Sequence, residues 1–142
     1  MLTNQSIPRV SVIPVLAYPD VNEAAAWLSS AFGFSVRLRI GTHRVQMNVG
    51  DSAIILREMR AGEDGASLGH GHSITVRILD ADAHCKRARG RGARITQEPA
   101  THMYGERQYN VLDPAGHSWT FSQSVKDVRP EEWGGSAEFL QP

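Results

Sequence analysis

Polar side chains that could contact a ligand alternate with apolar ones along residues 104–123, YGERQYNVLDPAGHSWTFSQ. The turn sequence at 113–116, Asp-Pro-Ala-Gly, divides this segment into two runs, which is typical of a β-hairpin. A four-residue turn sets a register in which Trp119 and Phe121 share the core face. The opposite, polar face is then predicted to carry Arg107, Tyr109, Ser118 and Thr120.

Histidine and cysteine side chains are the other candidates for chemistry. His70 and His72 have the spacing of a chelating pair, but they lie in a glycine-rich segment, where isolated histidines are usually solvated. Cys85 lies on a predicted helix among cationic residues without a recognisable base, so we interpret it as a small apolar filler. The sequence has no nucleophile elbow, phosphate-binding loop or dinucleotide-binding glycine motif. None of these residues therefore indicates a recognised catalytic centre.

The charge balance excludes several classes of partner. Lys plus Arg and Asp plus Glu are 15 each, so the chain has no net field with which to bind nucleic acid or an anionic membrane. The basic run at 86–94 lacks interleaved aromatic residues and is interpreted as a solvated helix face. The single cysteine excludes an internal disulfide and favours a reducing compartment, so we expect a cytoplasmic location. We expect neither a leader peptide nor a membrane helix, because no apolar run approaches about 18 residues.

Turn and capping signals place these residues on two successive units. The first unit is predicted as a strand over 10–18, a helix, and strands over 35–40, 43–49 and 52–58. The helix is indicated by Asp20 as N-cap, Glu23 three residues later and Gly33 as the stop. Gly50-Asp51 is a two-residue hairpin signal that joins the last two strands.

The same order of elements begins again about sixty residues later. A strand over 73–79 precedes a helix capped by Asp80 or Asp82 and stopped at Gly92. A strand over 93–96 and the hairpin of 104–123 complete the unit. The spacing therefore predicts two βαβββ modules, an α+β arrangement.

We expect one domain that spans residues 1–142. Module one covers about 8–58, a Gly-rich charged linker covers 59–72, module two covers about 73–125, and a tail covers 126–142. Trp133 is expected to anchor this tail on the body or on a second subunit, because an isolated tryptophan is costly to leave in water.

The chain resembles the vicinal oxygen chelate superfamily, which includes glyoxalases, extradiol dioxygenases, fosfomycin-modifying enzymes and bleomycin-binding resistance proteins. The resemblance is carried by IPVLAYPDVNEAAAWLSSAFGF, LDADAHCKRARGRGARI and YGERQYNVLDPAGHSWTF, within residues 8–125. It implies two tandem modules with curled mixed sheets around a cleft, often completed in a homodimer. Such a fold hosts catalysts and pure binders alike, so it does not settle the function.

Catalytic members of this family hold a divalent metal between side chains of the two modules. The resemblance carries these positions over to Ile13, Ile55 or Arg57, Ser73 and Thr120. Thr120 stands four residues after Gly116, where metal-binding relatives carry glutamate, and these side chains are not a competent ligand set. We therefore expect no metal and no other cofactor, as in the bleomycin-resistance-like branch. The alternative is a metal-dependent lyase or dioxygenase with displaced ligands from among His72, Glu98, His102 and Glu106.

Strand alternation sorts the remaining side chains into core-facing and cleft-facing sets. The predicted ligand-binding residues are Gln46, Asn48, Ile55, Arg57, Ser73, Thr75, Arg107, Tyr109 and Thr120, together with Ile13, which the resemblance to the family places on the cleft side. Together with further arginines at 44 and 77, these side chains would suit an anionic or polar aromatic small molecule, such as an antibiotic. Two alternatives remain open: a polar sheet face that simply contacts water, and a metal-free enzyme with Arg107 and Tyr109 as electrostatic and acid-base groups.

Overall fold

A computed structural model describes residues 2–64, 67 and 70–138. Each module contributes one helix and four strands. Module one contains β1 (Val15–Tyr18), α1 (Val21–Phe32), β2 (Ser35–Ile40), β3 (Arg44–Val49) and β4 (Ser52–Glu58). Module two contains β5 (Ile74–Arg77), α2 (Ala81–Gly90), β6 (Arg94–Thr101), β7 (Glu106–Leu112) and β8 (Ser118–Ser124). A short 3-10 helix, Pro130–Trp133, lies in the tail.

The two sheets repeat one topology. Their strand orders are β1-β4-β3-β2 and β5-β8-β7-β6, and in each the first strand pairs in parallel with the last strand of its module. The remaining pairs are antiparallel. This architecture confirms the predicted α+β fold of two tandem βαβββ modules. Parts of the expected linker (65, 66, 68 and 69) and tail (139–142) lie outside the described residues.

Local capping explains where the helices begin and end. The Asp20 carboxylate accepts a hydrogen bond from the Glu23 amide at 3.0 Å, and Gly33 ends α1 with φ 80°. In module two the N-cap is Asp80, which leaves Asp82 in the first turn. After α2 the Ala93 and Gly92 amides donate to the carbonyls of Ala88 and Arg89, a Schellman motif with glycine at the left-handed position.

The largest differences from the predicted strand boundaries are at the start of β1 and the end of β6. The first strand begins at Val15 rather than at residue 10, because Pro14 has no amide hydrogen to continue the ladder. Its carbonyl still accepts from the Ile55 amide at 2.9 Å. Strand β6 extends to Thr101 rather than ending at 96, with register shifts along its pairing with β7.

The hairpin of β3 and β4 has the predicted register. Met47 lies opposite Ile54 and Val45 opposite Leu56 across the two-residue turn at 50–51, and all four side chains are buried. The other face consequently carries the predicted residues Gln46, Asn48, Ile55 and Arg57.

The hairpin of β7 and β8 has a different register from the predicted one. The Asp113 amide donates to the His117 carbonyl at 3.0 Å, so the loop has three residues, not four, and Gly116 adopts φ 90°. This shift of one residue places Tyr109 opposite Phe121, on the helix-facing side of the sheet. Arg107, two residues earlier on β7, lies on the same side. The prediction that Arg107 and Tyr109 lie on the polar face is therefore wrong.

One hydrophobic cluster joins the two modules. Phe32, at the end of α1, contacts the rings of Trp119 and Phe121 in module two at centroid distances of 5.6 and 4.8 Å. Because the helix-facing sides of both sheets share this core, their polar sides lie away from it. Within the described residues, no helix is long and apolar enough to cross a membrane.

Candidate functional site

A row of neutral polar side chains crosses the polar face of module two. Thr120 donates to the Asn110 side-chain oxygen at 2.8 Å, and the Asn110 amide donates to the Gln97 side-chain oxygen at 2.9 Å. Thr75 of β5 lies beside Thr120 in the parallel register. Ser73 precedes β5 on the same parity and is exposed. The structure thus brings the predicted residues Thr75 and Thr120 together.

A second row runs parallel to the first. Tyr104 donates from its hydroxyl to the Gln108 side-chain oxygen at 2.9 Å, and the Gln108 amide donates to Ser122 Oγ at 3.0 Å. The Ser122 hydroxyl in turn donates to Glu106 at 2.7 Å. An aromatic stack lies at one end of this row, because the His102 ring is 5.1 Å from Tyr104 and the Trp133 ring 5.2 Å from it. Trp133 thus packs against the body of its own chain.

These bonds leave hydrogen-bonding capacity for a ligand. A primary amide has two N–H donors, and Asn110 and Gln108 each use one of them in the rows. Gln97 is exposed and participates through its oxygen, so this bond leaves both of its amide donors for a ligand. The face is therefore rich in neutral donors, which suits ligand carbonyl and other acceptor groups.

The polar face of module one is divided into an apolar and a polar part. Ile13 and Val15 lie on the parity of Ala53 and Ile55, at the β1–β4 side. The predicted residues Gln46 and Asn48 lie on β3, farther across the sheet. Asn48 is exposed, and its side-chain amide donates to Ser35 at 3.4 Å.

Arg37 also lies on this face, beside a β-bulge. Val36 pairs with Met47 and Leu38 with Gln46, so Arg37 is an extra residue in β2. Its guanidinium donates to the Gln46 side-chain oxygen at 2.5 Å, and both side chains also bond to carbonyls of the chain before β1. Residues 2–12 are called the arm below.

The arginines do not form the predicted anion site. Arg57 makes a two-pronged ion pair with Glu63 at 2.8 and 2.7 Å, and its hydrogen bonds lower the pKa of Glu63 to about 2. Arg107 pairs with Asp82 on α2, and the hydrogen bonds it donates lower the pKa of that carboxyl. Arg77 of module two is exposed and donates to Ser124 at 3.3 Å. Two of the four predicted guanidinium groups are therefore already neutralised by carboxylates.

Tyr109 belongs to a buried network under the helices. Its side chain is 0% exposed, and its hydroxyl contacts His84 Nδ1. His84 Nε2 lies 3.1 Å from the Phe32 carbonyl of module one. Burial raises the pKa of Tyr109 well above its usual value, so the phenol stays protonated. This position removes the support for Tyr109 and Arg107 as acid-base and electrostatic groups of a metal-free enzyme.

A groove of about 410 Å³ connects the two modules. Thr75 and Arg77 of β5 line one side, and Val12, Pro14 and Ala53 line the other. Its volume is within the range of small-molecule sites, roughly 300 to 1,000 Å³. The groove continues the polar face of module two toward the apolar part of module one.

The donor set does not fit the divalent metal of catalytic family members. The positions that the resemblance assigns to it hold Ile13, Ile55 or Arg57, Ser73 and Thr120, which supply hydrocarbon, guanidinium and neutral hydroxyl groups in place of imidazole or carboxylate. Among the alternative ligands, Glu98 pairs with Arg89, His102 stacks on Tyr104, and Glu106 accepts a hydrogen bond from Ser122. Across the part of the chain that the structure describes, no three His, Cys, Asp or Glu residues converge as a metal site.

Sequence reasoning missed several residues of these faces: Arg37, Gln97, Gln108, Asn110 and Ser122. Tyr109 and Val111 alternate as apolar residues on β7, and this pattern would have assigned the intervening Gln108 and Asn110 to the polar face. Val36 and Leu38 alternate as apolar residues on β2, and this pattern would likewise have assigned Arg37 to the polar face.

Comparison with known proteins gives relatives of both sequence and fold. TioX from Micromonospora sp. ML1 is 31% identical, covers 82% of this chain and 99% of its own, and superposes with a TM-score of 0.66. FosX from Listeria monocytogenes, a fosfomycin resistance protein, is 14% identical over 87% of this chain and 94% of its own, with a TM-score of 0.65. At that identity FosX shows the fold alone.

A curated relative matches a shorter region. The uncharacterized protein Mb0911c of Mycobacterium bovis is 35% identical over 68 residues, which cover 46% of this chain and 44% of that protein. The match therefore spans less than half of the relative's length. The sequence model described as Glyoxalase/Bleomycin resistance protein/Dioxygenase superfamily matches residues 7–121. This chain belongs to the glyoxalase/bleomycin resistance/dioxygenase superfamily.

Proposed function

We propose that this protein binds a polar small molecule on the face of module two, without a catalytic metal. The observation that carries the proposal is the bonded row of Thr120, Asn110 and Gln97, which places neutral donors and acceptors where a catalyst would need a carboxylate. With Arg57 and Arg107 already paired, the favoured ligand is hydrogen-bonding and close to neutral rather than strongly anionic. An antibiotic remains a fitting ligand class, since FosX is a fosfomycin resistance protein of the same fold.

We further propose that a second copy of the chain encloses the ligand. The polar sides of the two sheets lie away from the core that the modules share, so they do not cover one another within one chain. Val15, on the polar side of module one, is 48% exposed, and Val12 is 79% exposed beside the groove. A homodimer that places module one of one copy over module two of another would cover these apolar groups and desolvate the polar rows.

Titration calorimetry against a panel of antibiotics and aromatic carboxylic acids tests the proposal. We expect at least one compound to bind, and Asn110→Ala to weaken its binding by about ten-fold, since the row loses a donor and an acceptor. Asn22→Ala, on α1 and away from this face, is the matched control and is expected to keep the native affinity. Binding that is unchanged in Asn110→Ala, or a panel without any binder, would contradict the proposal.

The metal-dependent alternative has its own measurement. Elemental analysis after exhaustive dialysis is expected to find no stoichiometric divalent metal, and a chelator is expected to leave ligand binding unchanged. Retention of one metal per chain, with binding lost to the chelator, would favour a lyase or dioxygenase instead.

A further inference from the structure

Three consecutive carbonyl groups of the arm are bonded to two side chains of module one. Arg37 donates to the carbonyl of Gln5 at 2.9 Å and to that of Ile7 at 3.3 Å. The Gln46 side-chain amide donates to the carbonyl between them, that of Ser6, at 2.9 Å. These contacts use only backbone groups of the arm, and the side chains of all three arm residues are exposed.

The two recognising side chains are held in position independently of the arm. Arg37 lies on this face by strand alternation, since Ser35 opposite Asn48 has the same parity, and its bond to Gln46 fixes the side-chain oxygen of that amide. The Gln46 amide nitrogen therefore points outward and needs an acceptor, because Gln46 is only 4% exposed under the arm. The pair presents fixed N–H donors at the spacing of successive backbone carbonyls.

Pro8 secures the arm next to these contacts. It is buried, unlike the residues from 2 to 7 before it, and as a proline it restricts the backbone that follows the bonded carbonyls. The arm is thus a short turn, closed by the Ile7 amide on the Asn4 carbonyl at 3.4 Å and followed by one apolar anchor. It lies on the module-one face that the proposed homodimer turns toward the ligand.

We propose that Arg37 and Gln46 form a binding site for a peptide turn or a peptide-like amide, and that the arm is its intramolecular occupant. This inference rests on the proposed function, and it specifies the ligand class: a molecule with successive amide carbonyls. The donors of Asn110, Gln108 and Gln97 on the opposing wall fit the same class. A ligand that enters the site displaces Gln5–Ile7 and takes over their bonds.

The arm competes with any external ligand for this site, because it is covalently linked to the site. A segment linked to its own site acts at an effective concentration in the millimolar range. Only molecules whose arm has left the site can bind a ligand, so the apparent affinity is the intrinsic affinity multiplied by the fraction of such molecules. A change that loosens the arm without touching Arg37 or Gln46 should therefore strengthen binding of an external peptide.

The experiment is an NMR titration of the full-length, ¹⁵N-labelled chain with the blocked peptide TNQSIPR, which has the sequence of residues 3–9. We expect the Gln46 side-chain amide and the Ser6 backbone amide to shift as the peptide reaches millimolar concentration. In Pro8→Gly, which frees the arm, the midpoint should fall about five-fold. Pro130→Gly makes the same substitution in the carboxyl-terminal tail and should leave the midpoint unchanged.

Two further variants test whether carbonyl recognition is the cause. In the Pro8→Gly background, Arg37→Lys keeps the charge but loses the planar fork, and we expect peptide binding to weaken at least about five-fold. Gln46→Met, in the same background, removes the amide donor and should also weaken peptide binding. A well-dispersed NMR spectrum of each variant shows that its fold is retained. A peptide with alanine at the positions of Gln5, Ser6 and Ile7 should bind within about two-fold of the original, since backbone carbonyls do not depend on side chains.

The outcomes separate this inference from the proposed function. Peptide binding that is lost in both recognition-site variants supports the inference, even when no compound of the small-molecule panel binds. A panel compound that binds without shifting the Ser6 amide supports the proposed function and overturns the inference. Absence of peptide binding to Pro8→Gly, or equal binding to Arg37→Lys, also overturns it.

Discussion

Among single side chains, His84 has the contacts that make stability depend on pH. Its Nε2–H donates to the Phe32 carbonyl, and its Nδ1 accepts from the Tyr109 hydroxyl, which stays protonated because burial raises the pKa of that phenol. Both ring nitrogens are thus satisfied in the neutral form. Burial lowers the pKa of His84, the positive charge of Arg87 lowers it further, and the bond to Phe32 opposes the shift.

The sign of the pH dependence follows from that lowered pKa. An unfolded chain protonates His84 near its ordinary pKa of about 6.5, whereas the folded chain resists protonation. The stabilisation is therefore fully present above that pH and is lost as the pH falls below it. Denaturant unfolding between pH 7.5 and 5.5 should show decreasing stability in the native chain and a flatter profile in His84→Gln. His43→Gln, at an exposed histidine, should keep the native slope, and an unchanged slope in His84→Gln would contradict the assignment.

The contacts of individual side chains were harder to predict from the sequence than the faces on which these side chains lie. Alternation placed Gln46, Thr75 and Thr120 on the polar faces because each lies in a strand with a clear apolar partner set. The role of Arg37 was missed because its carbonyl partners in the arm are about thirty residues away in sequence. Contacts between distant segments have no local pattern from which to predict them.

At the level of elements, the tail is held by a close backbone contact that only glycine permits. The Val125 and Lys126 amides both donate to the Gly105 carbonyl, at 2.8 and 3.2 Å. Gly105 has φ 86°, and a Cβ atom there would lie 2.2 Å from the Lys126 carbonyl oxygen. A side chain at this position therefore combines a left-handed backbone with a clash that side-chain motion cannot relieve.

Gly105→Ala is expected to destabilise the protein by about 2 to 4 kcal/mol. Its tail should separate from the body, so the emission of Trp133, whose ring lies 5.2 Å from Tyr104, should shift to longer wavelength. Gly62→Ala is a matched control, because Gly62 also has φ 86° but no atom within 4 Å of the added Cβ. It should cost only about 1 kcal/mol. Equal costs for the two variants would show that the contact with Lys126 is unimportant.

The elements themselves were largely predictable, because their signals are local. Asp20, Glu23 and Gly33 specify the first helix without reference to the second module. The register of the β7–β8 hairpin was predicted wrongly because side-chain hydrogen bonds, as well as the turn residues, determine the conformation of its loop. The Asp113 side chain accepts from the amides of Ala115 and His117, and it also accepts from the Tyr18 hydroxyl of module one at 2.5 Å. That last bond depends on how the modules pack, which a turn sequence does not encode.

For the whole molecule, the shared core implies that the two modules unfold together. Phe32 contacts Trp27 and Phe34 of its own module and Trp119 and Phe121 of the other. Polar bonds cross the same junction, since Trp27 donates to the Arg91 carbonyl at 2.8 Å and His117 contacts the Ala17 carbonyl at 2.6 Å. Neither module keeps a closed hydrophobic core if the other unfolds.

Phe32→Ala should accordingly cost about 3 to 5 kcal/mol, through the cavity that the lost ring leaves in the joint core. Far-ultraviolet circular dichroism and tryptophan fluorescence should shift to lower denaturant by the same amount and remain coincident, because one cooperative unit unfolds. Val12→Ala, at a side chain that is 79% exposed, should change stability by no more than about 0.5 kcal/mol. Two separate transitions in the native chain or in Phe32→Ala would show that the modules are independent. In that case the placement of the polar faces away from a common core would lose its physical basis, and with it the reason for a second copy over the ligand.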